Sequence, residues 1–244
     1  MKRRPLVGTV LALVASFALV STVLAASFTN GSFENTDGTY AGVSLGFEPN
    51  ATNIPGWTTG ATGTVDWIYN YWPAEQGSYS LDLNGSNNST GTYAGSVSQT
   101  FDTVAGQEYF VSFWMSGNPY PNGPTTKTMT VQATGGAVQS YSYDILANGT
   151  TLTDMHWVDM GYTFTASGSS TTLTFASTTA GTSYAGPALD NVTVTAIATT
   201  GASCKNGGWE TNTYLDANNN PITFSNQGQC VSYFATSGAV PIGN

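Results

Sequence analysis

Gly186-Pro-Ala-Leu-Asp-Asn-Val-Thr-Val194 reads as a strand, because Leu189, Val192 and Val194 are apolar and Thr193 and Thr195 are β-branched. Strict period-two alternation puts Asp190 on the face of Val192 and Val194, so a carboxylate is expected to point where core residues point. Burying an unpaired carboxylate is costly, so Asp190 needs a cation, a cluster of donors or a raised pKa. Beyond residue 25 the only basic side chains besides His156 are Lys127 and Lys205, which makes a metal ion a serious candidate.

Around this stretch the chain alternates short β-rich runs with Gly, Asn, Pro and Ser clusters. Strands are expected over Ser27–Phe33, Val65–Tyr69, Ser80–Leu83, Ser96–Phe101, Glu108–Met115, Thr128–Ala133, Gln139–Ile145, Trp157–Thr165, Thr171–Ala176 and Ala188–Thr195. In Tyr109-Val111-Phe113-Met115 and Val158-Met160-Tyr162-Phe164 the apolar side chains fall on one face. Asn118-Pro-Tyr-Pro-Asn-Gly-Pro124 is a turn, since proline cannot donate to a sheet ladder and Asn-Gly favours positive φ. Many short strands with frequent turns predict an all-β fold, a two-sheet antiparallel sandwich of jelly-roll type.

The ends of the chain differ in character from this body. Lys2-Arg3-Arg4 followed by an apolar run to Leu24 and a small-residue cut site after Ala25 reads as a signal peptide over residues 1–25. The alternative is an uncleaved anchor; the polar sequence that follows favours removal and secretion, with no stable transmembrane anchor. Losing Lys2, Arg3 and Arg4 moves the formal net charge from −9 to −12. Such a surface repels nucleic acid and anionic membranes and suits neutral glycans, divalent cations or basic partners. The sandwich is expected over 26–198, a linker over 199–203, and a small unit over 204–244. Cys204 and Cys230, the only cysteines, read as one disulfide in an exported chain.

The aromatic-rich stretch is the candidate ligand site. Trp57, Trp67, Tyr69, Tyr71 and Trp72 are interleaved with Asp66, Asn70 and Glu75. Rings stack on sugar CH groups while carboxylates and amides orient hydroxyls, so carbohydrate binding is assigned to Trp57, Asp66, Trp67, Asn70, Tyr71, Trp72 and Glu75. The competing reading places individual rings in the sandwich core. Glu34 and Asp190 form a second pair, which would meet if the first and last strands lie side by side. They could share a calcium ion, or each could simply accept backbone donors.

Asn30-Gly-Ser-Phe-Glu34, Ile54-Pro-Gly-Trp57, Gly63-Thr-Val-Asp-Trp-Ile68, Gly77-Ser-Tyr-Ser-Leu-Asp-Leu-Asn-Gly85 and Gly186-Pro-Ala-Leu-Asp-Asn-Val192 occur in the order of one family. The chain resembles the bacterial choice-of-anchor C proteins, related to a plant cell-wall domain of unknown function, 642. The resemblance implies a galactose-binding-like sandwich, a structural Ca2+ between first and last strands at Glu34 and Asp190, and a polysaccharide or cell-surface glycan as partner. It supports binding without catalysis. Two alternatives stand beside it: an adhesive surface protein without glycan specificity, and a glycoside hydrolase using Asp66 and Glu75.

Overall fold

The computed structural model describes residues 27–86, 91–121, 123–180, 183–216 and 220–236. The expected signal peptide and the last residues of the expected tail lie outside these ranges. Two antiparallel sheets face each other. One holds β1 (Leu45–Phe47), β3 (Val65–Tyr69), β4 (Tyr79–Asp82), β6 (Glu108–Gly117), β9 (Val158–Thr165) and β11 (Pro187–Ala196), in the order β1-β3-β4-β11-β6-β9. The other holds β2 (Thr58–Thr59), β5 (Ser96–Asp102), β7 (Thr126–Ala133), β8 (Gln139–Asp144) and β10 (Ser170–Ser177), in the order β2-β5-β10-β7-β8. The chain crosses repeatedly between them, giving the expected all-β sandwich.

Alternation builds the core. Val65 and Trp67 of β3, Tyr79 and Leu81 of β4, Val111, Phe113 and Met115 of β6 meet Val97, Met129, Val131, Leu173 and Phe175 of the facing sheet. Residues Ser27–Phe33, expected as the first strand, form a turn instead. Asn30 and Phe33 have positive φ, and the Phe33 N–H donates to the Asn30 carbonyl. Gly31 still lies against the last strand: its carbonyl accepts from Val192 N–H at 2.8 Å, and a side chain there would collide with the Val192 carbonyl.

The opening stretch departs from strict alternation at one residue. Leu189 pairs with Leu81 and Met115 in the core, so Asp190 faces the opposite, outer side of the sheet. The register against β6 then jumps from Asp190↔Trp114 to Thr193↔Ser112, with Asn191 at φ +46°. This bulge inserts one residue and returns Val192 and Val194 to the core side. Asp190 therefore does not share their face, and its burial has another cause. The loop 70–78 folds over the outer side, and Trp72 packs there with Ile68, Met155, Ala188 and Trp157. Hydrogen bonds from Trp72 Nε1 to Ser80 Oγ (2.8 Å) and from Trp157 Nε1 to the Pro73 carbonyl (3.0 Å) fasten the cover.

Past β11 a short 3₁₀ turn (Gly201–Cys204) occupies most of the expected linker. Then come α1 (Gly208–Thr211), the hairpin β12 (Tyr214–Leu215) and β13 (Pro221–Ile222), and α2 (Gln227–Thr236). The Cys204–Cys230 disulfide lies at the centre of this unit, among Tyr214, Trp209, Phe224 and Phe234. Leu215 packs on Phe110 and Ile197, which docks the unit on the start of β6 and the end of β11. Among the described residues no helix is long and apolar enough to cross a membrane.

Candidate ligand cleft

On β3 the core takes Val65 and Trp67, which leaves Asp66 and Ile68 on the outer side. Asp66 stands opposite Asp82 of β4. Asp82 is fully buried and accepts three hydrogen bonds: from Asn84 N–H at 2.9 Å, Gly186 N–H at 3.0 Å and Asn118 Nδ2 at 2.7 Å. Lys127, equally buried, donates from Nζ to the Ala185 carbonyl at 2.7 Å. Burial pushes the Asp82 carboxyl up and the Lys127 ammonium down, while attraction to Asp82 draws Lys127 back up. The N–H donors oppose the push on Asp82, yet burial still raises its carboxyl to about 8 and lowers the Lys127 ammonium to about 8.

That pair sets two loops. Asn118, held by Asp82, accepts the Tyr120 N–H at 2.9 Å through Oδ1. Asp82 and Lys127 together fix Gly186 and Ala185, and hence Tyr184 beside them. The Tyr120 and Tyr184 rings stand 5.0 Å apart at 49°, with Tyr93 6.2 Å from Tyr184. The Tyr184 phenol is raised, first by its hydrogen bond with Tyr120 and then by desolvation and its tyrosine neighbours. Tyr71, on the covering loop, completes the wall above Trp72, with ring centroids 5.5 Å apart. The result is a cleft of about 230 Å3 lined by Tyr71, Trp72, Tyr120, Tyr184, Asp66 and Asn118, with Ser44, Ile68 and Ser86 at its margins. Tyr71 is 49% exposed and Tyr184 36%, so both present ring surface. Asp66 Oδ1 accepts the Ser86 N–H at 2.9 Å, and burial raises its carboxyl against that bond.

The seven residues assigned to sugar binding separate. Asp66, Tyr71 and Trp72 line the cleft, Trp72 as a floor only 1% exposed. Trp57 and Trp67 do not present ring faces: they are 2% and 0% exposed in the inter-sheet core. Their ring N–H groups donate inward, to the Asn30 and Phe33 carbonyls. Asn70 takes φ +50° in the turn leading into the covering loop. Glu75 accepts from Asn191 Nδ2 at 2.7 Å and does not line the cleft. The acids imagined as a hydrolase pair, Asp66 and Glu75, thus do not share a cleft, and the carboxylate facing Asp66 is the sealed Asp82. Tyr120, Tyr184 and Asn118 were absent from the sequence assignment. The Asn118–Pro124 turn and the tyrosine just before Gly186 were their only trace.

Glu34 and Asp190 do meet, through a loop rather than directly. Glu34 Oε1 accepts Ser78 and Tyr79 N–H at 2.8 and 2.6 Å. Asp190 Oδ2 accepts Glu75 and Gln76 N–H at 2.8 and 3.0 Å, and Oδ1 accepts Asn191 N–H at 2.6 Å. Gly77 is required between them, at φ +74°, because a side chain there would strike the Glu34 carboxylate. Both Asp190 oxygens thus accept amides, while on Glu34 both bonds fall on Oε1. Among the described residues no group of three or more His, Cys, Asp or Glu gathers to hold a metal. Burial still outweighs the amide donors and pushes the Asp190 carboxyl up to about 7, with Glu75 adding repulsion.

Fold and site together define a β-sandwich with a tyrosine-walled, carboxylate-bearing cleft at one end of its sheets. The chain belongs to the family described as Protein of unknown function (DUF642), whose model matches residues 26–195. It is 28% identical over 168 residues to halomucin of Haloquadratum walsbyi, covering 68% of this chain but spanning only 2% of that protein's length. Among solved structures it is similar to TmCBM61, solved in complex with β-1,4-galactotriose, at 17% identity and TM-score 0.37, covering 69% of this chain and 97% of that one. It is also similar to the CBM22-1 xylan-binding domain of Paenibacillus barcinonensis Xyn10C, at 22% identity and TM-score 0.37, covering 63% and 92%. Likenesses of this size say nothing of what this chain binds.

Proposed function

We propose that the protein is a secreted, non-catalytic carbohydrate-binding sandwich whose ligand sits in the cleft of Tyr71, Tyr120 and Tyr184. The carrying observation is the pairing of exposed tyrosine rings with Asp66 and Asn118 around one small concavity. Rings supply stacking area for sugar CH groups, and the Asp66 carboxylate supplies directed hydrogen bonds. At about 230 Å3 the cleft is smaller than the roughly 300–1,000 Å3 of drug-sized pockets, so it suits one sugar unit at a chain end or branch. Asp82, Lys127 and Asn118 act as positioning residues, since they hold the tyrosine-bearing loops from beneath.

Affinity electrophoresis against a panel of soluble polysaccharides tests the reading. Retardation is expected with at least one of them, and Tyr71→Ala or Tyr184→Ala should weaken it about tenfold or more, with unchanged melting. A folded protein that no polysaccharide retards, or equal retardation of both variants and wild type, would end the proposal.

A further inference from the structure

The charges around the cleft do not balance, and the imbalance specifies the ligand more narrowly. Lys127 feels the attraction of Asp82 but is buried and donates its ammonium to the Ala185 carbonyl, and it does not line the cleft. Asp66 accepts from the backbone and side chain of Ser86, and among the described residues no Lys, Arg or His lines the cleft. Beyond residue 25 the other lysine, Lys205, belongs to the C-terminal unit, and His156 lies on the exposed loop before β9, beside Asp154. Around the carboxylate stand Tyr71, Trp72, Tyr120 and Tyr184, with neighbouring planes inclined at 56° within the first pair and 49° within the second. Exposed tyrosine rings and a carboxylate lining one small cleft offer π-faces and negative charge together, which attracts an organic cation. A uronic acid would meet only repulsion there, because its carboxylate would face Asp66 without a cation.

Resting on the carbohydrate reading above, we infer that the cleft selects a sugar bearing a protonated amine, a hexosamine unit whose ammonium group meets Asp66 between the tyrosine rings. Sugar carbons would stack on Tyr71 or Tyr184, while the ammonium gains both the carboxylate and the ring quadrupoles. The same chemistry is offered by a small quaternary ammonium compound, so the sugar and the bare cation must be compared.

The test is calorimetric titration of the full-length mature protein with four ligands: glucosamine trisaccharide, its N-acetylated form, cellotriose and choline. The expected result is about tenfold tighter binding of the glucosamine trimer than of its acetylated form, weakening as salt rises. Asp66→Asn keeps the oxygen that accepts from Ser86 and should bring the two trimers to similar affinity. Tyr71→Leu should weaken the charged trimer while leaving the fold intact, as checked by thermal unfolding. Equal affinity for charged and neutral trisaccharides would overturn this inference and leave carbohydrate binding standing. Binding of none of the saccharides would overturn this inference, and the polysaccharide panel above then decides whether carbohydrate binding stands. Choline as tight as the glucosamine trimer would assign the rings to a bare cation and overturn the sugar specificity.

Discussion

Asp190→Ala tests how the two ends of the sandwich are joined. The substitution leaves three N–H donors, those of Glu75, Gln76 and Asn191, without their acceptor in a partly buried place. Each stranded donor costs about 1–3 kcal/mol, and water entering the loosened loop moves these toward the lower value. Against that, the wild-type carboxylate is buried beside Glu75 at a cost visible in its upward pKa, and alanine removes this cost. The difference is a loss of roughly 2 kcal/mol, which in a domain of this size lowers Tm by about 4–8 °C. The assay is thermal unfolding of both proteins at about pH 8, with added calcium and with chelator. Since amides already hold Glu34 and Asp190, chelator should leave the wild-type Tm unchanged and the gap between the proteins constant. The reasoning fails if chelator brings wild type down to the melting temperature of Asp190→Ala, which would mean that a cation holds the loop.

Trp67→Ala removes a wholly buried ring and should cost about 3–5 kcal/mol in denaturant unfolding, in contrast to Tyr71→Ala, whose cost should be small. Asn191→Val forces a β-branched residue to φ +46° and removes the bond to Glu75, so stability should fall by about 2–3 kcal/mol, whereas Asn191→Gly should lose less. Because the Asp190 carboxyl is raised to about 7 from 3.8, the folded chain holds its proton more tightly than the unfolded chain does. That contribution is complete below about pH 4, is lost as pH rises toward about 7, and is flat above. Over that window wild type should lose up to roughly 4 kcal/mol more than Asp190→Asn, measured by urea unfolding at successive pH values; parallel profiles would refute it.

The strands were legible because their alternation is clean and each has a core to face. Ser27–Phe33 misled because its residues suit a strand while Asn30 and Phe33 turn into positive φ to lay Gly31 against Val192. Asp190 misled for a related reason: one Asn residue in left-handed geometry shifts the alternation, and only the pairing with β6 reveals it. The cleft was half legible. Asp66, Tyr71 and Trp72 are close in sequence, but Asn118, Tyr120 and Tyr184 reach them only through the placement of β11 between β4 and β6. Trp57 and Trp67 looked like stacking platforms because composition does not distinguish a ring that fills a core from one that faces water.

Strands β6 and β11 have a mechanical consequence. Both run from the cleft to the C-terminal unit, β11 from Pro187 to Ala196 and β6 in the opposite sense, with Gly117 at the cleft end. At ten residues each, they separate the two sites by about 30 Å. A pull applied between a ligand in the cleft and the C-terminal unit would act along these strands. Their ladder would then be loaded in shear, so that its hydrogen bonds must fail together and not one after another.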